Sequence, residues 1–407
     1  MPDRVAFAQG ARSGDDGPMS TQAPESVMHS DQPEHSAPPT PGGRWRALRR
    51  RLVLTNRSIT MTISGLAAFG LLLTMILQPV PFAVQGAGPT FDTLGSVNDV
   101  PLITVEGAET YPTEGELRLT TVTTAGGPGF PVDVGSVIRG WLSAGQRVVP
   151  VETAVDPSLT QEEQDLIGAQ QMSSSQENAT VSALTALGYD VPATLTISGA
   201  DPDRGAAGTV EQGDVIASIR TPDLPTTTIT TYADLDDALE ATPPGTAVTL
   251  GVDRNGVATD VEILTTDDGS GGSLLGIYLS AEFEFPVEVD IKIENVGGPS
   301  AGTMFALGII DQMTPGALTG GEVIAGTGTM SLGGDVGPIG GITLKMYAAE
   351  RDGADFFLAP ADNCGEVVGN VPDGLEVFRV ATLDEARTAV EAIAAGDTSD
   401  LPVCTTG

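Results

Sequence analysis

The sequence of 407 residues predicts an α+β protein with one N-terminal transmembrane helix and two folded units behind it. An apolar stretch at 59–78 is long enough to span a bilayer, for which about 20 residues suffice. Short β-rich runs separated by turn residues fill 191–266. From residue 283 apolar and charged residues alternate along the chain, and helical patterns follow, which is typical of a packed domain of mixed strands and helices.

The N-terminal residues are predicted to form a cytoplasmic tail and a membrane anchor. Residues 1–43 are rich in Pro, Gly, Ser, Asp and Gln, and this composition predicts disorder. Residues 44–58 form a basic juxtamembrane segment, and after the apolar stretch no lysine or arginine occurs before Arg118. The positive-inside rule therefore puts the N-terminus in the cytoplasm and the later residues outside the cell membrane. A cleaved signal peptide is the alternative, although its apolar region is usually shorter. We expect the Ser and Thr hydroxyls of this stretch to bond to their own helix backbone.

The composition excludes several function classes. The chain has 54 Asp and Glu against 19 Lys and Arg, and this acidity argues against nucleic-acid binding. The two histidines, His29 and His35, both lie in the tail, so imidazole-based catalysis and HExxH zinc sites are excluded from the rest. The two lysines, Lys292 and Lys345, stand outside any phosphate-binding loop motif. We therefore expect no metal, no cofactor and no ATPase belonging to this chain.

The segment after the anchor, 86–190, is predicted to be an α+β region. It contains a predicted strand at 116–122 and a predicted helix at 159–188, which starts with acidic residues and stops at a glycine.

The next segment, 191–266, carries β-rich runs around a predicted helix at 232–241. Its stretch GTVEQGDVIASI, with a Gly-Asp-Val-Ile turn leading into a strand, resembles a PDZ domain, and we call 191–266 the PDZ-like unit. PDZ domains bind extended peptides by strand addition, so the resemblance implies a peptide ligand. A generic small β module is the alternative.

A flexible linker, DDGSGGS at 267–273, leads into the last domain, predicted at 274–395. Apolar residues at every second position from 283 to 293 predict a half-buried strand or hairpin with a solvated charged face. The regular elements predicted after it are helices at 300–312, 343–351 and 383–395 and a strand at 356–359.

Two cysteines remain, Cys364 and Cys404. In a chain whose folded part faces outward, such a pair predicts one disulfide, which would tie the C-terminal tail, 396–407, to the last domain. Two unpaired thiols are the alternative.

Ser300 is a candidate nucleophile in the sequence GGPSAG. Glycines turn the chain, and Pro299 suits the first turn of a helix, so Ser300 is predicted at a helix N-terminus. Gly298, Pro299 and Ala301 form the turn around it, where backbone N–H groups and the helix dipole could hold an oxyanion. An ordinary helix cap is the alternative for the same sequence.

Lys345 is the candidate base, because a serine nucleophile needs a proton acceptor and no histidine is available. Its neighbours in the sequence are largely apolar, which favours burial. Burial can lower a lysine pKa from about 10.4 by up to about 3–5 units, into the range useful for a general base. A surface lysine with a snorkelling side chain is the alternative, as Lys292 on the charged strand face illustrates.

Together these strings resemble the proteolytic domain of Lon proteases across 283–395. The resemblance rests on GGPSAG, on GTGTMSLGGDVGPIGGITLK ending at Lys345, and on AAERDGA. It implies that Ser300 is the nucleophile, Lys345 the base and Thr327 a residue that orients the lysine. Gly297 stands where the family often has Asp, and Thr343 where classical members often carry a second lysine. The layout, without an ATPase module, resembles bacterial PDZ-containing Lon-like proteases of the YlbL type, in which the PDZ unit interrupts the protease region. This resemblance implies that 86–190 belongs to the proteolytic domain.

The resemblance implies an ATP-independent, membrane-anchored serine endopeptidase that cleaves unfolded or flexible polypeptides outside the membrane. It also implies a homo-oligomer, since Lon domains commonly form hexameric rings. The alternatives are a catalytically silent PDZ scaffold or sensor that binds peptides, and a Ser-Lys hydrolase of the signal-peptidase kind.

Overall fold

A computed structural model describes residues 55–127, 129–156, 158–222, 225–267 and 272–405. The predicted tail at 1–43, most of the basic segment at 44–58 and most of the linker therefore lie outside the described residues. The first helix, Asn56–Ile76, has 21 residues and is long and apolar enough to cross a membrane, and none of its residues is buried. The hydroxyl of Thr60 donates to the carbonyl of Asn56, as expected of polar residues in such a helix.

Helices and strands alternate irregularly along the described residues, so the predicted α+β class is confirmed. The helices are α1 (Asn56–Ile76), α2 (Val134–Leu142), α3 (Val151–Ala154), α4 (Gln161–Ala186), α5 (Tyr232–Glu240), α6 (Gly302–Met313), α7 (Ile342–Arg351), α8 (Cys364–Val367) and α9 (Leu383–Ala394). The strands are β1 (Pro79–Val80), β2 (Phe82–Asp92), β3 (Ser96–Val97), β4 (Val100–Pro101), β5 (Ile103–Glu106), β6 (Glu116–Ala125), β7 (Val132–Asp133), β8 (Gln146–Pro150), β9 (Ala193–Ala200), β10 (Val215–Arg220), β11 (Thr227–Thr228), β12 (Ala247–Arg254), β13 (Val257–Leu264), β14 (Thr266–Asp267), β15 (Ser273–Leu274), β16 (Ile277–Phe283), β17 (Glu288–Ile291), β18 (Val323–Gly326), β19 (Thr329–Met330), β20 (Val336–Gly337), β21 (Phe356–Pro360) and β22 (Glu376–Val380).

The first of two six-stranded sheets is mixed and has the order β22-β21-β18-β6-β2-β8. Its first four strands are mutually parallel, and β2 and β8 continue it in antiparallel fashion. Because successive side chains of a strand face opposite sides, the sheet has a core on each face. Ile324 and Leu358 pack with α4, α6 and α9, whereas Ala325 and Phe357 pack with α7.

Strand β6 connects two parts of the chain that lie far apart in sequence. It pairs in parallel with β18, where Leu117 is opposite Ile324, and antiparallel with β2. On one face of this sheet, α4 and α6 share the largest hydrophobic core, to which Met172 and Met304 belong. Residues on both sides of the PDZ-like unit therefore build one sheet and one core.

The second sheet is antiparallel, in the order β13-β12-β10-β9-β16, with β11 beside β10. Its core includes Ile197, Leu250 and Ile263, with Leu235 of α5 packed against them. The entering and leaving strands, β9 and β16, are neighbours, and just beyond them the Glu284 amide donates to the carbonyl of Pro192 at 2.8 Å. Helix α4 and β17 both pack on the core of the first sheet, so the segment between them leaves that core and returns to it at one place.

The alternating run at 283–293 does not form the predicted strand or hairpin. β16 ends at Phe283 and belongs to the second sheet, whereas β17 begins at Glu288 and pairs with β5. Between them lies Pro286, which has no backbone N–H to donate to a ladder. The second sheet therefore extends through residues 277–283, which the sequence assigned to the last domain. Alternation reports that one face is buried, and it carries no information about the sheet in which the strand lies.

Cys364 and Cys404 form a disulfide in the structure. Cys404 packs against the core beneath α7, and the preceding Val403 bridges Phe378 of β22. The amide of Arg379 donates to the carbonyl of Pro402 at 2.9 Å. The C-terminal residues therefore cover the β22 edge of the first sheet, and the disulfide fixes them there.

Replacing Cys404 with serine is expected to lower the free energy of unfolding by about 3–4 kcal/mol. The bond spans 40 residues, and closing a loop of that size restricts the unfolded chain by roughly this amount. Urea denaturation of the oxidised wild type and the variant measures the difference. Reductant should destabilise the wild type and leave the variant unchanged, and equal stabilities without reductant would contradict the prediction.

Candidate active site

Ser300 lies in the turn that leads into α6. The helix begins at Gly302 with Ala301 as its N-cap, two residues later than the sequence predicted. Gly298 adopts a φ of 90°, a conformation that favours glycine and lets the chain reverse before Pro299. Ser300 is half-buried, and the following Ala301 is buried. The nucleophile candidate is therefore held at the start of a helix whose own residues are almost entirely buried.

Helix α4 fixes this turn from the other side. The Gly298 amide donates to the carbonyl of Gly168 at 3.0 Å, and the Ser175 hydroxyl donates to the carbonyl of Pro299 at 2.9 Å. A Cβ on Gly297 would lie 3.1 Å from the Cα of Gly168, so the two backbones approach closely only without side chains. Sequence reasoning missed Gly168 and Ser175, because more than 120 residues separate them from the turn and no local pattern marks them.

Lys345 reaches Ser300 from the first turn of α7. Its side chain is only 3% exposed, and its Nζ lies 2.7 Å from the Oγ of Ser300 and 2.8 Å from the Oγ1 of Thr327. Lys345 is therefore not a snorkelling surface lysine. Lys292 has that character instead, since its exposed Nζ pairs with Asp290 at 2.8 Å.

The surroundings of Lys345 favour the neutral amine. Burial lowers its pKa to about 7, because an ammonium loses its hydration in an apolar interior. Within the part of the chain that the structure describes, no carboxylate forms an ion pair with it. Near neutral pH a large fraction of the amine is thus unprotonated, and its lone pair can accept the Ser300 proton.

Thr327 joins the backbone of Ser300 to the amine of Lys345. It is fully buried just after β18, and its hydroxyl donates to the Ser300 carbonyl at 2.9 Å while accepting from Lys345 Nζ. The amide of Gly328 donates to the same carbonyl at 3.0 Å. A Cβ on Gly328 would come within 2.4 Å of the Thr303 hydroxyl oxygen, so this strand can approach α6 only with glycine there.

The predicted oxyanion turn divides into residues with different roles. The Gly298 amide is occupied by Gly168, and Pro299 has no N–H, so these two residues shape the turn. Among the described residues, neither the Ser300 nor the Ala301 amide donates to another backbone carbonyl. Both remain available to an oxygen that develops negative charge beside Ser300 Oγ.

Known proteins resemble this chain in two separate regions. Residues 293–392 match the family profile of the Lon protease (S16) C-terminal proteolytic domain. Lon protease of Azospirillum brasilense is 40% identical over 91 residues, 22% of this chain and 11% of that protein. Lon protease 2 of Bacillus subtilis is 35% identical over 105 residues, 25% of this chain and 18% of that protein. The chain thus spans less than a fifth of the length of these relatives.

Similar solved structures include two PDZ domains of SdrC-like proteins. The domain from Listeria innocua has 20% sequence identity and a TM-score of 0.19, over 21% of this chain and 92% of that one. The domain from Listeria monocytogenes has 21% sequence identity and a TM-score of 0.19, over 22% of this chain and 88% of that one.

The match to the Lon family profile includes Ser300, Thr327 and Lys345. Residues 293–392 are therefore similar to the C-terminal proteolytic domain of Lon proteases (S16), and this similarity supports a serine peptidase.

Proposed function

We propose that this protein is an ATP-independent, membrane-anchored serine endopeptidase with Ser300 as nucleophile and Lys345 as general base. The observation that carries the proposal is the 2.7 Å distance between the buried Lys345 amine and the Ser300 hydroxyl. Among the residues that the structure describes, this amine has no ion-pair partner. Burying a lysine costs free energy, because the ammonium loses its hydration. A base with a pKa near 7 suits proton transfer at neutral pH, so this burial favours a catalytic role.

In the proposed reaction, neutral Lys345 accepts the Ser300 proton while Oγ attacks the scissile carbonyl carbon. The amides of Ser300 and Ala301 stabilise the negative charge that develops on the carbonyl oxygen. The Lys345 ammonium then gives its proton to the leaving amine, and the C–N bond breaks. Water hydrolyses the resulting ester with Lys345 again accepting a proton, which Ser300 recovers when the acid product leaves.

The proposed substrates are unfolded proteins, flexible termini and loops. The sequence has no phosphate-binding loop that could drive unfolding, so substrates must arrive already extended. The PDZ-like unit would dock an extended peptide at an edge of its sheet, where β13 and β16 are the outermost strands. A peptide-binding scaffold without catalysis is the alternative, and the short Ser300–Lys345 distance argues against it.

The proposed location is the outer face of a membrane crossed by α1. The arginines before α1 favour a cytoplasmic N-terminus, and the Cys364–Cys404 disulfide suits an oxidising compartment. The resemblance to Lon domains further supports a homo-oligomer, with a hexamer as the specific proposal.

The test is cleavage of an unstructured protein by the full chain in detergent, without nucleotide. Ser300→Ala should lower the cleavage rate by about 10³-fold or more, because the nucleophile is removed. The matched control is Ser198→Ala, which removes an exposed hydroxyl in the PDZ-like unit and should leave the rate unchanged. Added ATP should have no effect.

Two results would contradict the proposal. Equal cleavage by wild type and Ser300→Ala would place the activity at another site or in a contaminant. No cleavage by the wild type, together with no labelling of Ser300 by a fluorophosphonate, would favour the scaffold.

Thr327→Val is expected to lower kcat by about 10- to 100-fold with little change in KM, because losing a positioning hydrogen bond weakens proton transfer. The apparent pKa in the pH–rate profile should also move, since Thr327 contacts the Lys345 amine. Steady-state kinetics of a peptide substrate from pH 5 to 9 measures both. Thr314→Val, which removes a hydroxyl at the far end of α6, is the control. Identical profiles for the two variants would refute a positioning role.

A further inference from the structure

Helix α2 has one apolar face that no part of the described chain covers. Gly140 faces the first sheet so closely that a Cβ there would lie 2.7 Å from a side-chain methyl of Val148 in β8. On the other side, Ile138, Trp141 and Leu142 are 46%, 67% and 83% exposed. These three positions, spaced i, i+3 and i+4, share one face of the helix. Phe130, shortly before the helix, is 64% exposed.

This face begins where the proposed membrane anchor ends. Directly after α1, the strand β1 pairs with β7, so that Val80 lies opposite Val132. Helix α2 follows β7 without a break, and a Cβ on Gly135 would lie 3.3 Å from a side-chain methyl of Ile76, the last residue of α1. At about 1.5 Å per residue, the whole of α2 lies within roughly 14 Å of that contact along its axis.

The charge around α2 differs from that of the rest of the protein. The chain has a net charge of −35, yet residues 134–150 contain no acidic residue and two arginines, Arg139 and Arg147, both exposed. Exposed arginines attract anionic lipid headgroups. Tryptophan is enriched at the membrane–water interface, because its ring is apolar and its N–H is polar. Most of the surface would repel an anionic membrane, whereas this helix would not.

We propose that α2 is an interfacial helix that lies in the headgroup region of the membrane crossed by α1. Phe130, Ile138, Trp141 and Leu142 enter the apolar boundary, and Arg139 and Arg147 contact anionic phospholipid. The inference rests on the proposed anchoring by α1. A second copy of the chain or a substrate could cover an apolar face anywhere on the molecule, but only a membrane explains its contact with the end of α1 and its lack of acidic residues.

The chain has two tryptophans, Trp45 and Trp141, so Trp45→Phe leaves Trp141 as the single reporter. We would reconstitute the full-length variant in vesicles of phosphatidylglycerol and phosphatidylcholine whose acyl chains carry bromine near the headgroups. At least about half of the Trp141 emission should be lost, because bromine quenches by contact at the interface. Aqueous iodide, present inside and outside the vesicles, should quench the Trp141 emission only weakly. Adding Ile138→Glu and Leu142→Glu should make iodide the stronger quencher of Trp141 and bromolipid the weaker one.

Two results would overturn the inference. Quenching by iodide and not by bromolipid would put the α2 face in water. Protection from both quenchers would show that protein covers it, as in contact between copies of the chain. Flotation of the same vesicles separates this inference from the anchoring on which it rests. If the protein floats and Trp141 is in water, anchoring by α1 stands and the interfacial role of α2 is refuted. If the protein does not float, both proposals are refuted.

Discussion

Replacing Lys345 with methionine is expected to abolish peptide cleavage and to make the folded protein more stable. Methionine has a similar length and fills the site with an apolar side chain, but it has no amine to accept the Ser300 proton. We expect kcat/KM to fall by about 10³-fold or more, as for other nucleophiles deprived of their base. A fluorogenic peptide assay of the full chain measures the loss.

The stability gain follows from the depressed pKa of the amine. Between about pH 7 and pH 10.5 the unfolded chain binds a proton that the folded chain does not, so the wild type becomes more stable as pH rises through that window. Below pH 7 the full cost of burying the charge is present. Methionine removes that cost and loses two hydrogen bonds, and we expect a net gain of about 2–4 kcal/mol at pH 7.

Urea denaturation at pH 7 and pH 10 measures this gain, which should shrink toward zero at the higher pH. Lys292→Met is the control, because that lysine is exposed, and it should change neither activity nor stability appreciably. A Lys345→Met protein that is inactive and also less stable at pH 7 would indicate a structural lysine and contradict the catalytic assignment.

The second large effect is on the pH dependence of the wild type. Only the neutral amine can accept the serine proton, so kcat/KM should rise about tenfold per pH unit below pH 7 and level off above it. At pH 5 the rate should be about 100-fold below the plateau. Circular dichroism at each pH must show that the protein stays folded. A flat profile from pH 5 to pH 9 would refute Lys345 as the base.

The sequence predicted α1, α4, α5, α6, α7 and α9 to within two residues at most ends, because their signals are local, but it did not predict α2, α3 and α8. Thr160 and Glu163 form a capping box at the start of α4, and Thr382 caps α9 through the amide of Glu385. The residues of the candidate site were also accessible from sequence. A chain whose folded part lacks histidine has few bases for a serine, and the strings around Ser300 and Lys345 resemble one family.

Long-range placement could not be predicted in the same way. Nothing local in the sequence of β6 indicates that it pairs with β18, more than 190 residues later. The alternating run at 283–293 looks continuous, although it begins at the last residue of β16 and contains β17, and these two strands lie in different sheets. The support of the Ser300 turn by Gly168 depends on two backbones approaching each other, which leaves no residue pattern beyond the glycines themselves.

The position of the second sheet within the chain also sets an order for folding. Residues 193–283 contain all the strands of that sheet, so it can form as soon as they leave the ribosome. The first sheet cannot be completed until β18, β21 and β22 follow, and its early strands and α4 must wait with their apolar faces uncovered. Lys345 lies between β18 and β21 and follows Ser300 by 45 residues. Under the proposed mechanism, a growing chain therefore carries Ser300 without its base until α7 has been made and has packed against the first sheet.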